Sequence, residues 1–178
     1  EKMSKSLGNV KTISHVLELW GPNVIRLFCL SHDYKKPIDY TEELLKENLI
    51  KWRQIEVCYY ELIFAEEKLD EMNGEKLCDS AKGAKIYFDE RFGANSVGTF
   101  APNRAIEIMF NMINFINGFA ADEMITKSTA KKLLPILEYM LDVLGLKVQT
   151  VSDEEEKSVF DLIRKRESLR KQKQFDEA

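Results

Sequence analysis

Apolar residues recur at three- and four-residue steps along most of the chain, a spacing that predicts helices with one apolar face. The first helix is predicted to start near Thr12, with Thr12 or Ser14 as its cap. Its apolar face is formed by Ile13, Val16, Leu17 and Trp20. Gly21 and Pro22 predict the end of this helix, and Pro22 begins a short, densely apolar second one that contains Val24, Ile25, Leu27, Phe28 and Leu30. Residues 35–40 include Pro37 and predict an extended crossover.

A long helix is predicted to follow this crossover. Thr41 is a suitable cap, and Glu42 and Glu43 in the first turn favour the positive end of the helix dipole. Its apolar seam, which predicts a helix that continues until Asn73 and Gly74, consists of Leu45, Leu49, Trp52, Ile55, Tyr59, Leu62 and Leu69. Because an aromatic residue at helical spacing usually faces a partner helix, Trp52 and Tyr59 are predicted to lie in the core and not to stack on bases.

The rest of the chain continues the helical pattern. Residues 81–92 predict a shorter helix, and residues 93–102, with two glycines and a proline, predict a surface loop. Two apolar faces come next, Ile106, Met109, Phe110, Ile113 and Ile116, and then Leu133, Leu137, Met140, Leu141 and Leu144, the second ending near Gly145. A last helix is predicted from about Asp153. The predicted fold is all-α, with a loop and small helical module over residues 1–40 and an antiparallel helical bundle over residues 41–178.

Composition is typical of a globular chain. Of its 178 residues 44% are hydrophobic, which can supply a core, and no apolar run approaches the roughly 18 residues that span a bilayer, so we expect a cytoplasmic protein without a membrane segment. The three cysteines, Cys29, Cys58 and Cys78, are too widely spaced for a disulfide framework or a CxxC knuckle and are predicted to be reduced core thiols. His15 and His32 have no partner at ligand spacing, so we expect no metal site in this chain.

The net charge of −4 hides an uneven distribution. Acidic residues fill positions 153–156, and a basic cluster follows, which consists of Arg164, Lys165, Arg166, Arg170, Lys171 and Lys173. The basic cluster either tracks nucleic-acid phosphates or is a solvated helix face on which Glu167 pairs with Lys171.

Candidate chemistry lies at the other end of the chain, where Lys2, Met3, Ser4, Lys5 and Ser6 are followed by Gly8. Two ammonium groups and two hydroxyls on a loop suit a triphosphate, because lysine neutralises phosphate oxygens and can stabilise charge on leaving pyrophosphate. A solvated surface loop is the alternative for so short a motif.

Three blocks carry a family resemblance. Residues 1–9, EKMSKSLGN, are similar to the signature loop of class I aminoacyl-tRNA synthetases. Residues 26–40, RLFCLSHDYKKPIDY, resemble the RYFLLSxHYRxPLxYS block of the cysteinyl enzymes, and residues 162–178, LIRKRESLRKQKQFDEA, resemble their LIxxRxxARKxKxFxxAD segment without its final Asp. We therefore expect the C-terminal portion of a cysteinyl enzyme, truncated at its C-terminal end.

The resemblance implies an ATP-dependent ligase that forms cysteinyl-adenylate and passes cysteine to tRNA-Cys. Lys5 corresponds to the ATP-contacting lysine, Lys2 assists it, and Met3, Ser4 and Ser6 complete the ATP-binding loop. The tRNA-facing residues would be Arg164, Lys165, Arg170 and Lys171. Residues 1–40 would form the loop and stem-contact region and residues 41–178 the tRNA-side domain of a monomer that uses ATP with magnesium.

Other parts of the family pattern are missing or altered. The HIGH motif, the nucleotide-binding sheet and the zinc ligands all precede the signature loop in the family, so zinc is expected outside this segment and the segment alone is not expected to be active. The family's DDFNTPxA block corresponds only loosely to residues 89–92 and 101–105, and its alignment stays open. Two alternatives also stay open: a cysteine ligase of the mycothiol pathway, and a non-catalytic RNA-binding module descended from a synthetase.

Overall fold

The computed structural model describes residues 11–66, 74–92, 100–121 and 125–149, and across these ranges it contains five helices and no strand. The helices are α1 (Ile13–Leu30), α2 (Glu42–Ile63), α3 (Gly74–Arg91), α4 (Pro102–Ala121) and α5 (Lys127–Leu144). The chain separates into two compact units, Glu1–Lys147 and Val148–Ala178, and all five helices belong to the first. The predicted all-α class is confirmed for the described residues.

Helix α1 is kinked at Gly21. Of the two predicted caps, the structure uses Thr12, whose hydroxyl accepts a hydrogen bond from the backbone N–H of His15 at 3.4 Å. Gly21 has φ 75° and ψ 162°, a backbone region that is essentially restricted to glycine. The predicted break at Gly21 and Pro22 is therefore confirmed as a kink that divides α1 into a first half, residues 13–20, and a second half, residues 22–30.

The two halves of α1 differ in burial. The second half buries Val24, Leu27 and Phe28, in agreement with its dense apolar pattern. In the first half Val16 is buried but Ile13 is 76% exposed, so the described residues cover only part of the predicted apolar face.

Helix α2 begins as predicted and ends early. The Thr41 hydroxyl accepts a hydrogen bond from the backbone N–H of Leu44 at 3.2 Å. One face is buried along the whole helix, namely Leu45, Asn48, Trp52, Ile55, Cys58, Tyr59 and Leu62, which confirms the core positions of Trp52 and Tyr59. The predicted end at residues 73–74 is wrong, because α2 ends at Ile63 and the backbone N–H of Phe64 bonds to the carbonyl of Tyr60. Leu69 lies outside the described residues.

Helix α3 begins at Gly74, so the predicted start at residue 81 is also wrong. Gly74 is buried against Thr129, whose Oγ1 occupies the space that a Cβ would need. Gly74, which the sequence predicts as the end of α2, instead allows the start of α3 to lie close to the start of α5. The buried face of α3, which extends from its first turn, consists of Leu77, Cys78, Ala81 and Phe88.

Helices α4 and α5 agree with the predicted apolar faces. All five predicted core residues of each helix are buried: Ile106, Met109, Phe110, Ile113 and Ile116 in α4, and Leu133, Leu137, Met140, Leu141 and Leu144 in α5. Pro102, assigned to the loop, is the first residue of α4, a position that proline favours. Residues 93–99 of the predicted loop lie outside the described part of the chain. Gly145 ends α5 in the left-handed conformation, as predicted.

Contacts between helix ends give the helix directions. The backbone N–H of Ala101 bonds to the carbonyl of Arg91 at 2.9 Å, which joins the end of α3 to the start of α4 in an antiparallel pair. The N–H of Lys127 bonds to the carbonyl of Glu66 at 2.9 Å, so the start of α5 lies beside the end of α2. Helices α3 and α5 are parallel, because they meet near their starts at Gly74 and again where the Tyr139 hydroxyl donates to Asp89 at 3.0 Å.

Gly145 offers a direct test of the packing between α1 and the end of α5. Replacing Gly145 with Ala should lower the free energy of unfolding by about 1–3 kcal/mol, since φ at this position is +65° and the new Cβ would collide with the Arg26 guanidinium. Equilibrium urea unfolding measures the change.

The matched control is Gly83→Ala within α3. Nothing lies within 4 Å of a Cβ at Gly83, so alanine there should raise stability by about 0.5–1 kcal/mol through helix propensity. Equal stability of Gly145→Ala and the wild type would contradict the described conformation of Gly145.

Candidate functional site

The residues predicted to carry chemistry lie outside the described part of the chain. These are the loop residues Lys2, Met3, Ser4, Lys5 and Ser6, and the basic residues Arg164, Lys165, Arg170 and Lys171. Lys11 is the first described residue, and its contacts form the junction between the loop segment and the helices.

Lys11 connects the loop segment to the start of α2. Its ammonium group donates a hydrogen bond to Glu42 Oε1 at 2.7 Å and lies 5.8 Å from the centre of the Tyr40 ring. The hydrogen bond to Glu42 is the main reason that the pKa of Lys11 is raised, and the same bond lowers the pKa of Glu42. Glu42 is the first residue of α2, where a carboxylate also interacts favourably with the helix dipole.

Covalent geometry limits where the predicted ATP-contacting lysine can lie. A chain spans at most about 3.5 Å per residue, so the Cα of Lys5 lies within about 20 Å of the Cα of Lys11.

Aromatic contacts hold the crossover of residues 35–40 against the end of α1. The Phe28 ring packs edge-on against His32 at a centroid distance of 4.9 Å and against Tyr40 at 6.3 Å. His32 Nδ1 lies 2.7 Å from the backbone carbonyl of Phe28. The Tyr40 hydroxyl is buried and has no hydrogen-bond partner among the described residues. Tyr40 thus contacts both Phe28 and Lys11, and it connects α1, the crossover and the loop segment.

Polar side chains of the second half of α1 bind the residues that follow α5. Asn23 makes a reciprocal pair with Lys147, donating from Nδ2 to its carbonyl at 2.8 Å and accepting from its N–H at 3.1 Å. Arg26 Nη1 donates to the carbonyl of Gly145 at 2.6 Å. These bonds join two side chains of α1 to the backbone of Gly145 and Lys147. They therefore hold the second half of α1 beside the end of α5.

The cysteines and histidines of the described residues form no metal site, because no three His, Cys, Asp or Glu side chains there come together. Cys58 and Cys78 are buried as predicted, and burial raises the pKa of the Cys58 thiol to about 12. The prediction is wrong for Cys29, which is exposed. On a helix Cys29 lies about 100° beyond Phe28 and so falls outside the buried face of α1.

Comparison with known proteins places this junction in a family. The family model described as tRNA synthetases class I (C) catalytic domain matches residues 1–49, which include the predicted ATP loop, α1 and the first turns of α2. A cysteine–tRNA ligase of Bacillus cereus is 30% identical over 179 residues, which cover 98% of this chain and 37% of the relative. The chain belongs to the cysteinyl family of class I tRNA synthetases.

Two further cysteine–tRNA ligases give the same result. The relative from Caldicellulosiruptor saccharolyticus is 30% identical over 182 residues, covering 100% of this chain and 38% of the relative. The relative from Bacillus cytotoxicus is 31% identical over 178 residues, covering 98% of this chain and 37% of the relative. The chain thus spans a little over a third of the length of the curated relatives that it matches. The division into regions 1–40 and 41–178 stays a prediction.

Lys11 is a junction residue that the sequence pattern does not identify. The pattern predicts that Glu42 favours the dipole of α2, and it predicts no role for Lys11. The one available signal is a basic residue two positions after the signature loop. No pattern along the chain shows that Glu42, far away in sequence, lies 2.7 Å from it.

The ion pair predicts a measurable change in the titration of Glu42. In the Lys11→Met variant the Glu42 pKa should rise toward its ordinary value, because the donor of the 2.7 Å hydrogen bond is removed. Carboxyl NMR titration follows Glu42 directly. The lowered pKa of Glu42 contributes stability above its unfolded pKa that disappears as pH falls through the folded pKa, and the raised pKa of Lys11 contributes stability that disappears as pH rises through its own folded pKa.

Lys82→Met is the control for this titration, because Lys82 makes a similar exposed pair with Asp79 at 3.0 Å in α3. It should leave the titration of Glu42 unchanged. A Glu42 pKa that is the same in Lys11→Met and in the wild type would show that the pair is not formed in solution.

Proposed function

We propose that this chain supplies the ATP loop and the tRNA-side helices of a ligase that activates cysteine with ATP and transfers it to tRNA-Cys. The observation that carries the proposal is the alignment of nearly the whole chain with cysteine–tRNA ligases. The match of the class I family model to residues 1–49 supports the role of the loop, since it includes Lys2 and Lys5.

The first chemical step is adenylate formation. A carboxylate oxygen of cysteine attacks the α-phosphorus of ATP, an oxygen–phosphorus bond forms, and the bond to the β-phosphate breaks to release pyrophosphate. Negative charge grows on the leaving pyrophosphate, and the ammonium groups of Lys2 and Lys5 stabilise it with hydroxyl support from Ser4 and Ser6. Because this charge is greatest in the transition state, the loop accelerates the step more than it tightens ATP binding.

The second step needs the acceptor tRNA beside the same loop. A ribose hydroxyl of the terminal adenosine attacks the carbonyl carbon of the adenylate and loses its proton to the departing phosphate or to water. An ester bond forms, and the bond from that carbon to the phosphate oxygen breaks to release AMP. The contacts of Lys11 with Glu42 and Tyr40 give the loop a fixed attachment to the helices that would present the tRNA. Positioning of this kind lowers the barrier by holding reactants in a productive geometry.

Metal ions are assigned by the family alone. Magnesium would accompany ATP, and the zinc implied by the resemblance would be held by residues outside this chain. The described residues do not fit a zinc site, since no three suitable side chains among them converge. Neither chemical step is routed through zinc.

Cellular location and assembly are proposed from the same resemblance. We place the ligase in the cytoplasm as a monomer. No helix within the described ranges is long and apolar enough to cross a membrane.

The role of Lys5 is tested by pyrophosphate exchange with the full-length ligase. Lys5→Ala should lower the rate constant of cysteine-dependent exchange by about 10²–10³, the cost typical of removing one group that stabilises transition-state charge. Lys82→Ala removes a surface lysine outside the loop, which pairs with Asp79, and this variant should exchange at the wild-type rate. Wild-type exchange by Lys5→Ala would refute the catalytic role of the loop.

The basic cluster is tested by the salt dependence of tRNA binding. The double variant Arg170→Ala/Lys171→Ala should reduce the slope of log affinity against log salt by roughly 0.7–0.9 for each phosphate that the variant no longer neutralises. Lys76→Ala, an exposed lysine of α3, serves as the control. An unchanged slope would assign the cluster to a solvated helix face.

The same measurements separate the alternative functions. Cysteine-dependent exchange without any tRNA binding would favour the mycothiol-pathway ligase. Salt-sensitive tRNA binding without exchange would favour a non-catalytic RNA-binding module.

A further inference from the structure

A groove runs between α3 and α4, and the proposed function assigns no role to the residues that line it. Its volume is about 680 Å³, within the range of roughly 300–1,000 Å³ that is typical of small-molecule sites. We call it the α3–α4 groove. Its larger apolar lining residues are Tyr87 of α3 and Ile108, Met112 and Phe115 of α4. The groove therefore has the size and the apolar lining of a ligand site.

Helical spacing places the lining residues of α3 on one side of the helix. Ser80, Ala84, Tyr87 and Arg91 follow one another at steps of four, three and four residues, the repeat of one helix face. Gly83 also lines the groove, and nothing lies within 4 Å of the point where a Cβ would stand. The small residues at positions 80, 83 and 84 thus leave space between the two helices.

Two aromatic rings border this space. Tyr87 is 59% and Phe115 46% exposed, whereas Met112 is buried beneath them. Aromatic rings offer large flat apolar surfaces, and a methionine side chain adapts its shape to what it contacts. This part of the groove suits the apolar body of a ligand.

Arg91 gives one end of the groove a positive charge. It is the last residue of α3, and its carbonyl accepts a hydrogen bond from the N–H of Ala101 at 2.9 Å, so it lies beside the start of α4, where the helix dipole is positive. Arg91 Nε is buried and has no hydrogen-bond partner among the described residues. The described residues that line the groove include no Asp or Glu. Because a buried donor without an acceptor is destabilising, an anion bound here would complete the site.

We propose that the α3–α4 groove binds a small amphipathic anion, in which one carboxylate or phosphate group is attached to an apolar body. The anionic group would accept hydrogen bonds from Nε and one Nη of Arg91, the paired geometry that a guanidinium favours. Ala84 precedes Arg91 by seven residues, so the apolar body would extend about 10 Å along the helix. It would lie over Ala84 and Met112, between the rings of Tyr87 and Phe115.

The size of the groove favours a small molecule over a docked helix. The eleven residues from Ser80 to Arg91 extend about 16 Å, and a helix of that length and about 10 Å in diameter occupies roughly 1,300 Å³. This volume is about twice the 680 Å³ of the groove. A helix would leave about half of its volume outside the groove, whereas a small amphipathic anion would be largely enclosed.

Two fluorescent probes that differ in charge test the site in the full-length protein. Anilinonaphthalenesulfonate carries a sulfonate, which stands in for the carboxylate or phosphate, and phenylnaphthylamine has the same apolar body without the charge. Arg91→Met should weaken binding of the sulfonate probe by roughly 10- to 100-fold, the loss expected when hydrogen bonds to a charged group are removed, and leave binding of the uncharged probe unchanged. Lys76→Met, which removes an exposed lysine of α3 that does not line the groove, should change neither.

A variant that fills the groove gives a second test. Gly83→Leu should weaken binding of both probes by about 10-fold or more, and it should not lower the Tm, because a Cβ meets open space there and leucine favours a helix more than glycine does. Decanoate and decyl phosphate should displace the sulfonate probe, and the stronger competitor identifies which anion the site prefers.

Three results would overturn the proposal. One is equal affinity of the wild type and Arg91→Met for the sulfonate probe. Another is displacement of that probe by neither decanoate nor decyl phosphate. The third is no binding of either probe to the full-length protein, the result expected if other residues of the protein fill the groove. The proposed function stands apart from all three, because pyrophosphate exchange is measured without these probes.

Discussion

The buried face of α2 is the packing surface on which the rest of the described fold depends. It runs from Leu45 to Leu62, and α1, α4 and α5 all pack against this helix. Polar contacts mark each neighbour: Ser31 beside α1 approaches Asn48 at 3.5 Å, Asn117 of α4 reaches the carbonyl of Gln54 at 3.5 Å, and Tyr59 donates to Glu138 of α5 at 3.3 Å. Burial of this face therefore holds α1 against α2, and Lys11, which precedes α1, pairs with the first residue of α2.

Different interactions supply stability and direction at that attachment. Burial of Val24, Leu27 and Phe28 provides most of the free energy that holds α1, since a fully buried side chain of this size contributes about 1.5–3 kcal/mol. The Lys11–Glu42 pair is exposed to solvent, and pairs of that kind add little to stability. Its importance lies in direction, because it holds Lys11 beside the first residue of α2.

Sequence periodicity predicted the helices whose partners are in the same chain. Thr41 marks the start of α2 through a local hydrogen bond, and Gly145 marks the end of α5 through its backbone conformation. The apolar faces of α4 and α5 are long enough that their spacing fits a helix and not a strand. The boundary between α2 and α3 was predicted wrongly because Gly74 signals a turn locally, while its contact with Thr129 is visible only in the folded chain.

The same limit explains the candidate site. The motif of residues 2–6 is local and carries its family signal in the sequence alone, whereas the Lys11–Glu42 pair joins two residues that no periodicity relates. The pattern of Ile13 and Leu17 correctly predicts an apolar helix face, but periodicity cannot tell whether the partner of that face lies in this chain. Ile13 and Leu17 are both exposed, so the pattern predicts the face but not what packs against it.

Amino-acid selectivity of pyrophosphate exchange tests the central claim most directly. The full-length protein that contains this chain would be assayed with cysteine, and in parallel with serine, alanine, methionine and valine as competing amino acids. The account predicts exchange with cysteine far above that with any other amino acid. Faster exchange with another amino acid, or no exchange with cysteine, would contradict it.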